Sequence, residues 1–436
     1  MTGTATFGSD SGSPTLMTET SPADVSQTAS ELMAAIGKFS AWLDRAGLSS
    51  YDPYDFWGTR YGKLARRLYY QKKLAGAAMT APFIALEILY PRFRKWGVGK
   101  ERFPSADAQV GLAYLNLYRA SQAWGSQAAE SWRLKAETVA EEALNRSVPG
   151  YSGYCWGYPF DWQNVNGLMR KGTPHIIATP YCYELFTQLF DLTGEPRYLR
   201  VAESIAAFAF KDLNDTPWGE DAAASSYTPF DRGKVVNASA YRAFLLCDAA
   251  RRFGNPQFFE KAWKNVRFIL QSQRDDGAWL YAIDNKAEAF IDHFHTCFVL
   301  KNLFKLNQDA RSSEVSDAIR RGYQWYRKFL FDEHDNPRSY AIAPRVQIVK
   351  LEMYNFAEAI TLGVLLRNEI PEAFRLAEKL ALRLTRQYQV AAGHFVTRVY
   401  LGEIRHTVPF LRWPQSQLFL ALTNLLVASQ AGSATP

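Results

Sequence analysis

The stretch Met353–Leu366, MYNFAEAITLGVLL, is apolar on nearly every side of a helix. A helix of this kind is normally enclosed by other helices instead of lying at a surface. Similar apolar stretches begin near Ser105, Thr179, Asn237, Asp292, Glu352 and Trp413, at intervals of 55 to 74 residues. Such regular spacing predicts a structural repeat, with each apolar helix occupying an equivalent place in the fold.

Amphipathic helices alternate with the apolar ones. In Ser312–Leu330, SSEVSDAIRRGYQWYRKFL, the apolar stripe is spaced by three or four residues and consists of Val315, Ile319, Tyr323, Tyr326 and Leu330. Further outer helices are predicted at Gln127–Arg146, Pro196–Leu213, Pro256–Gln273 and Pro371–Tyr388, several of which open with a proline. With one more helix from the region Gly62–Tyr90, the pattern gives six inner and six outer helices. The sequence therefore predicts an all-α fold, an (α/α)6 toroid; two separate bundles would not need such even spacing.

Composition sets the limits of this domain. Residues 1–27 are rich in Ser, Thr, Gly and Ala and are predicted to be a disordered tail, which leaves residues 28–430 as a single toroid domain. The tail has no basic start and apolar run of a secretory signal, so we expect a cytoplasmic protein. The four cysteines, Cys155, Cys182, Cys247 and Cys297, fit no metal or disulfide spacing and are predicted to be buried thiols, and no cofactor is expected.

One segment is strongly basic. Eleven Lys and Arg residues lie between Arg60 and Arg102, against only Glu87 and Glu101, in a chain whose net charge is +7. Such a zone suits a membrane surface, an acidic sugar polymer or phosphates, and no nucleic-acid motif accompanies it. Within it, Leu74–Tyr90 is 17 residues long and contains Pro82, which favours a buried helix over a membrane span. Its basic flanks leave shallow membrane contact through residues 60–102 open.

The loops that lead from each outer helix to the next inner helix are long and rich in aromatic and acidic residues, as in Gly150–Asn164, GYSGYCWGYPFDWQN. In a toroid these loops emerge at one end, where sites are usually built. Aromatic rings stack on the apolar faces of sugars. The predicted sugar-binding rings are Trp156, Tyr158, Trp162, Trp279, Tyr281 and Trp413. The stretch Ala392–Phe410 alternates in polarity and predicts a β-hairpin turning at Gly402 and Glu403.

Carboxylates of the same loops are the catalytic candidates. Glycoside hydrolysis needs two carboxyl groups, and Asp161, Asp284 and Asp292 are the acids we select. In Asp292–Phe298, DHFHTCF, Asp292 and His295 are three residues apart and share one helix face, so that His295 could act as a general acid or base. Asp292 is equally well placed to be the N-cap of its helix. A zinc site from His293 and Cys297 lacks further ligands, and no metal is predicted.

The last inner helix opens with His406–Gln417, HTVPFLRWPQSQ, which brings His406, Arg412 and Gln415 to the same rim as substrate-binding candidates. An arginine pairs in a planar fork with a carboxylate. If the substrate is a uronic acid, Arg412 would neutralise its carboxylate, and His295 or His406 would move the proton in a lyase or epimerase reaction.

Two resemblances carry functional implications. The stretch Lys264–Trp279, KNVRFILQSQRDDGAW, resembles the repeat of squalene and hopene cyclases, but the D-x-D-D acid motif of that family is missing. Over roughly Tyr51–Ala428, the phrases CWGYPFDW, DDGAWLYAID, FIDHFHTCFVLKNL and PFLRWPQSQ make the chain similar to VpsJ-like α/α-toroid proteins of bacterial exopolysaccharide and capsule clusters, related in shape to six-hairpin glycosidases.

The second resemblance implies a cytoplasmic role in surface polysaccharide assembly, and we expect a sugar chain or lipid-linked oligosaccharide as the substrate. The basic segment at residues 60–102 leaves membrane association open. A glycoside hydrolase-like enzyme is the leading hypothesis. The alternatives are a uronate lyase or epimerase, a non-catalytic polysaccharide-binding assembly factor, and a terpenoid cyclase-like toroid, which would need a dry cavity lined by Phe and Trp.

Overall fold

The computed structural model describes residues 22–433. The helices of this range are α1 (Pro22–Ala46), α2 (Arg60–Gln71), α3 (Lys73–Leu89), α4 (Pro104–Ala123), α5 (Ala129–Leu144), α6 (Thr179–Thr193), α7 (Pro196–Lys211), α8 (Val236–Phe253), α9 (Pro256–Gln271), α10 (His293–Ala310), α11 (Ser313–Phe329), α12 (Met353–Leu365), α13 (Pro371–Tyr388) and α14 (Ser416–Ser433). Short strands lie in the loops between them: β1 (Trp162–Asn164), β2 (Gly167–Met169), β3 (Asp215–Trp218), β4 (Ala222–Ser225), β5 (Ile291–Asp292), β6 (Tyr340–Ile342), β7 (Val349–Glu352), β8 (Arg398–Tyr400) and β9 (Arg405–His406).

Helices α4, α6, α8, α10, α12 and α14 form a closed inner ring, in which each packs against the next and α14 returns to α4. Helices α5, α7, α9, α11 and α13 pack outside them as partners of the preceding inner helix. The inner helices begin within three residues of the predicted positions. The predicted (α/α)6 toroid is therefore confirmed, and the even spacing reflects one helical hairpin per sector.

The sixth outer helix differs from the prediction, because it is α1 and not part of Gly62–Tyr90. Helix α1 packs on α13 and α14 through a buried stripe formed by Leu32, Ile36, Phe39 and Leu43. The residues of this stripe are spaced by three or four, as in the other outer helices. Helix α3 has no such stripe. Helix α1 begins at Pro22, while residues 1–21 of the predicted tail lie outside the described residues.

Helices α2 and α3 form a hairpin beside the ring, here called the basic hairpin (Arg60–Leu89). The prediction of a buried helix was wrong for α3, since only Gly76 and Thr80 are buried on it. The outward residues are Leu, Ala, Ile and Pro, whereas inward Glu87 reaches the ring. In the described range no helix is both long and apolar enough to cross a membrane.

Short β-strands connect the loops of adjacent sectors at one end of the ring. Strand β5 pairs with β6, and β7 pairs with β8, so that adjacent sectors share backbone hydrogen bonds. The predicted hairpin is β8–β9, with Arg398 opposite His406 and left-handed backbone at Gly402 and Glu403. All four cysteines are buried free thiols, as predicted.

Candidate functional site

The loop end of the ring holds a cluster of half-buried aromatic and imidazole side chains, here called the mouth. Its members are Tyr54, Tyr158, Trp162, Tyr227, Tyr281, His295 and Tyr340. The ring centroids of Tyr54 and Trp162 are 5.7 Å apart, and those of Tyr158 and Trp162 are 5.9 Å apart. Five different loops contribute these residues, so the ring closure itself assembles the mouth. Half-buried rings that carry hydroxyl groups give it the mixed apolar and polar composition that suits a sugar-binding surface.

His295 is held in the mouth by Asp292. The imidazole Nδ1 lies 2.7 Å from Asp292 Oδ2, and the Asp292 carboxylate also accepts a hydrogen bond of 2.9 Å from the backbone N–H of His295. Asp292 is buried and caps α10, whereas 22% of the His295 side chain is exposed. Both predictions for this pair, the N-cap and the shared face, are confirmed. A carboxylate on Nδ1 fixes the tautomer that leaves Nε2 able to accept a proton.

The predicted aromatic platforms divide into two groups. Tyr281 is in the mouth, with its ring 4.5 Å from that of His295, and Tyr158 lies across from it. Trp156 and Trp279 are buried instead, and each donates its ring N–H to a helix carbonyl, that of Ala143 at 2.8 Å and that of Ile269 at 2.9 Å. These two indoles anchor the loops to the outer helices.

Arg412 lies beneath the mouth and is paired with a residue that the sequence did not single out. Its Nε and one terminal nitrogen donate to the two oxygens of Asp52 at 2.6 and 2.7 Å, and both side chains are buried. The guanidinium carbon lies 4.7 Å from the centroid of the Tyr158 ring. Asp52 therefore already occupies the planar fork that we had assigned to a substrate carboxylate.

Two buried polar side chains near the mouth have no hydrogen-bond partner for their side-chain nitrogen and oxygen atoms in the described part of the chain. They are His175, whose ring lies 4.3 Å from that of Tyr158, and Asn237, which lines a narrow cavity together with Tyr281, Asp292 and His295. Burial, with the charge of Arg412, lowers the pKa of His175 to about 3. His175 is therefore neutral near pH 7. Buried polar atoms are rarely left unpaired, so these residues are candidates to meet the hydroxyls of a ligand.

Glu352 is a second acidic candidate, immediately before the neighbouring inner helix α12. It lies at the end of β7, 2.5 Å from Arg398. Its other oxygen has no well-formed hydrogen bond within the described residues, although the Trp413 indole N–H is close enough to favour the charged carboxylate. Burial raises the pKa of Glu352, while the Arg398 charge opposes this. Tyr340 lies within electrostatic range of both Asp292 and Glu352, so the two acids flank one part of the mouth.

The other selected acids lie at the rim. Asp161 pairs with Lys63 of the basic hairpin and accepts a hydrogen bond from the backbone of Lys171; these contacts lower its pKa, the Lys63 hydrogen bond most. Asp284 lies 3.9 Å from the Lys234 ammonium and is one-third exposed. Neither contacts the His295 and Asp292 pair.

The remaining candidates of the last sector are buried. His406 Nε2 lies 3.0 Å from Glu87 of the basic hairpin. Gln415 bonds both polar atoms to the backbone of Phe395, at 2.8 and 2.9 Å. The Trp413 ring stacks on Tyr354 with centroids 3.9 Å apart and meets Phe294 edge-on. Trp413 thus packs against Tyr354 and against Phe294, the residue before His295, while His406 and Gln415 hold the last loop in place.

Below the mouth, the axis of the ring is closed by a buried polar network. Lys301 Nζ lies 2.8 Å from Glu358 and 2.9 Å from the Tyr181 hydroxyl, which is 3.0 Å from that of Tyr241. These residues come from four inner helices, α6, α8, α10 and α12. The network lies below the mouth and links four of the six inner helices.

Sequence reasoning did not find Asp52, His175, Tyr227 or Asn237. Asp52 lies between α1 and α2, outside the repeat that the sequence predicted, and the other three are ordinary polar residues in loops or in the first turn of α8. His175 and Asn237 stand out because they are buried without hydrogen-bond partners among the described residues, and Asp52 because it pairs with a residue far away in sequence. Local spacing in the sequence shows neither property.

Comparisons with known proteins define the class of fold. No protein-family description and no curated protein sequence matches the chain. Among solved structures, a heparin-specific unsaturated glucuronyl hydrolase matches with a TM-score of 0.61 and 10% identity, over 94% of this chain and 98% of the other. A GH76 α-mannanase from Bacteroides thetaiotaomicron matches with a TM-score of 0.56 and 10% identity, over 76% of this chain and 88% of the other.

Cellobiose 2-epimerase from Bacillus thermoamylovorans matches with a TM-score of 0.55 and 11% identity, over 77% of this chain and 90% of the other. The chain thus has the six-hairpin glycosidase-like toroid fold. At this level of identity the likeness establishes the fold alone, because one fold hosts many functions. The VpsJ-like resemblance stays a prediction.

Proposed function

We propose that the protein is a carbohydrate-processing enzyme whose active site is the mouth, with His295 as the proton-transferring group and Asp292 as the residue that positions it. The observation that carries this proposal is the 2.7 Å contact between Asp292 Oδ2 and His295 Nδ1 among partly exposed tyrosines. With its Nδ1 facing the carboxylate, the imidazole has Nε2 left to exchange a proton with a substrate.

Proton transfer at a sugar carbon, as in an epimerase or lyase, fits this arrangement better than hydrolysis by Asp161 and Asp284, which are held by lysines at the rim. Hydrolysis remains the second candidate, because Glu352 combines a raised pKa with an oxygen near the mouth that has no well-formed hydrogen bond within the described residues. The solved proteins of similar fold include hydrolases, a lyase and epimerases. The hydroxyl- and imidazole-rich mouth favours a sugar over a terpenoid.

The finer parts of the proposal concern the natural substrate. We propose a sugar chain or lipid-linked oligosaccharide of surface polysaccharide assembly, handled at the cytoplasmic side of a membrane. The support is the VpsJ-like resemblance together with the basic segment at residues 60–102. A non-catalytic assembly factor with the same mouth would bind sugars but would not need the His295 and Asp292 pair.

Reaction with test sugars in D2O separates these functions. The probes are cello-, manno- and uronate oligosaccharides, followed by NMR for deuterium at a sugar carbon, by ultraviolet absorbance for a new double bond, and by a reducing-end assay for hydrolysis. We expect turnover by the wild type and a loss of about 10²- to 10⁴-fold in His295→Gln. Asp292→Asn should retain the N-cap, because Asn also caps helices, yet lose most of the activity.

His334→Gln is the matched control, since His334 lies on an exposed loop and the change should leave turnover unaltered. Wild-type rates in His295→Gln would overturn the assignment. Binding of these sugars without any turnover would favour the assembly factor instead.

A further inference from the structure

The outward side of α3 is a continuous apolar surface that no described part of the chain covers. It consists of Leu74, Ala77, Ala81, Ile84, Ala85 and Leu89, all exposed. Leu74 is 89% exposed and Leu89 is 73% exposed. Exposed apolar patches of this kind mark sites of interaction with a partner or a membrane. We call this surface the α3 face.

Aromatic and basic residues surround the α3 face. Exposed Tyr61 and Tyr70 on α2, and Tyr90 and Trp96 after α3, lie near its margins. Exposed cations flank it at both ends of α3: Lys72 and Lys73 before the helix, and Arg92, Lys95 and Lys100 after it. Between Arg60 and Lys100 the only acid is Glu87, which is turned toward His406 and Arg94. Across residues 60–102 the positive charge is thus in large excess, with Glu101 beside Lys100 as the one exposed carboxylate of the segment.

This arrangement selects one kind of partner. Protein interfaces usually place Trp, Tyr and Arg at the centre of the patch. Here the centre is aliphatic, whereas the aromatic and basic residues lie around it. That order is typical of helices lying in the boundary layer of a bilayer, with aliphatic side chains among the acyl chains and Tyr, Trp, Lys and Arg among the head groups.

The contacts of the basic hairpin determine which end of the ring lies next to the α3 face. Glu87 on the inward side of α3 contacts His406, and Lys63 on α2 pairs with Asp161 at the rim. Phe83 stacks on Phe56 with ring centroids 4.5 Å apart. The α3 face is thus joined directly to the loop end of the ring, not to the far end.

We propose that the α3 face docks on the surface of an anionic lipid bilayer and holds the mouth next to the head-group layer. The proposal goes beyond the sugar chemistry of the mouth and does not depend on it. It explains why an exposed helix without a charged outer face is flanked by cations. It also implies that the natural substrate is presented at a membrane.

Sedimentation with vesicles tests the proposal directly. The full chain should pellet with vesicles of phosphatidylcholine containing 30% phosphatidylglycerol and should pellet much less with phosphatidylcholine alone. Leu74→Glu with Leu89→Glu should weaken the partition at least about tenfold, because burying each leucine side chain is worth roughly a factor of ten or more. Leu134→Glu is the matched control, on the 50%-exposed Leu134 of outer helix α5, and should bind like the wild type.

A fluorescent probe identifies the surface that enters the lipid. The four native thiols are buried, and burial raises the pKa of Cys155 and Cys247 to about 12, so an introduced cysteine can be labelled selectively. An environment-sensitive dye on Ala81→Cys should shift to the blue with anionic vesicles, and the same dye on Leu134→Cys should not.

Three results would overturn the proposal: no pelleting with anionic vesicles, equal loss of binding in Leu134→Glu, or a blue shift at both labelled positions. A concentration-dependent dimer that the double leucine variant abolishes would show that a second copy covers the α3 face instead. Circular dichroism of each variant confirms that it is folded, and none of these readouts requires sugar turnover.

Discussion

At the scale of single residues, Asp292 combines two tasks that the sequence suggested as alternatives. One oxygen accepts the backbone N–H of His295 and so caps α10, and the other holds His295 Nδ1. Capping therefore does not compete with a role in the site, since each oxygen serves one contact. The first turn of α10 therefore holds the His295 imidazole in the mouth, and a helix positions a side chain more rigidly than a loop does.

The buried pair of Asp52 and Arg412 leads to a prediction about stability. Asp52→Asn should lower the free energy of unfolding by about 3–5 kcal/mol, because it leaves the Arg412 charge buried without its counter-ion. Urea unfolding followed by circular dichroism measures this loss. Asp44→Asn breaks the exposed pair with Lys135 and should cost no more than about 1 kcal/mol. Equal effects of the two changes would mean that Asp52 and Arg412 are not coupled as described.

At the scale of elements, the contact between α12 and α13 depends on a glycine. A Cβ built on Gly363 would lie 2.3 Å from the carbonyl oxygen of Ala373 and 2.8 Å from the Ala377 Cβ. Gly363→Ala should therefore push the two helices apart and destabilise the protein by about 1–3 kcal/mol. Gly37 lies on the exposed side of α1, and a Cβ built there meets nothing within 4 Å. Gly37→Ala should therefore be neutral or stabilising by up to about 1 kcal/mol. Thermal unfolding of both variants measures these changes in stability. A Gly363→Ala protein as stable as the wild type would contradict the close packing of α12 and α13.

The helices were largely predictable because their signals are local. Proline at Pro196, Pro256 and Pro371 marks the start of an outer helix, and the apolar stretch after Glu352 marks an inner one. The choice of α1 over Gly62–Tyr90 as the sixth outer helix was not predictable in the same way. It depends on which helix reaches α14 after ring closure, a contact between the two ends of the chain.

The site was predictable only in part, for the same physical reason. Asp292 and His295 are three residues apart, so helix geometry alone brings them together. Trp279 looks like an exposed platform in sequence but fills the space against Gly322. The partners Asp52 and Arg412 are 360 residues apart in sequence, and no spacing rule connects them.

At the scale of the whole molecule, buried acids give stability a defined dependence on pH. Burial raises the pKa of Asp55 and of Asp107 from 3.8 to about 6. A raised folded-state pKa means that the folded protein binds protons more tightly between pH 4 and 6, so these groups lower stability as pH rises through that window. The pKa of Glu87 is about 2, despite burial, because His406 and Arg94 hold its charged form; its contribution is lost as pH falls from 4.5 toward 2.

Asp107→Asn should therefore flatten the fall in unfolding free energy between pH 4 and 6, by at most about 3 kcal/mol across the window. Urea unfolding at intervals of half a pH unit measures the slope. Asp317→Asn, at an exposed carboxylate, should leave the slope as in the wild type. An unchanged slope in Asp107→Asn would mean that this carboxyl does not titrate as its burial suggests.

The seam where α14 packs between α12, α4 and α1 has a consequence for biosynthesis. Of the described helices α14 is translated last, so the inward side of α4 and the apolar stripe of α1 are not fully covered until α14 is made. Until then the nascent chain is an open arc whose terminal helices expose apolar surface. Chaperones that shield apolar surface would act on it.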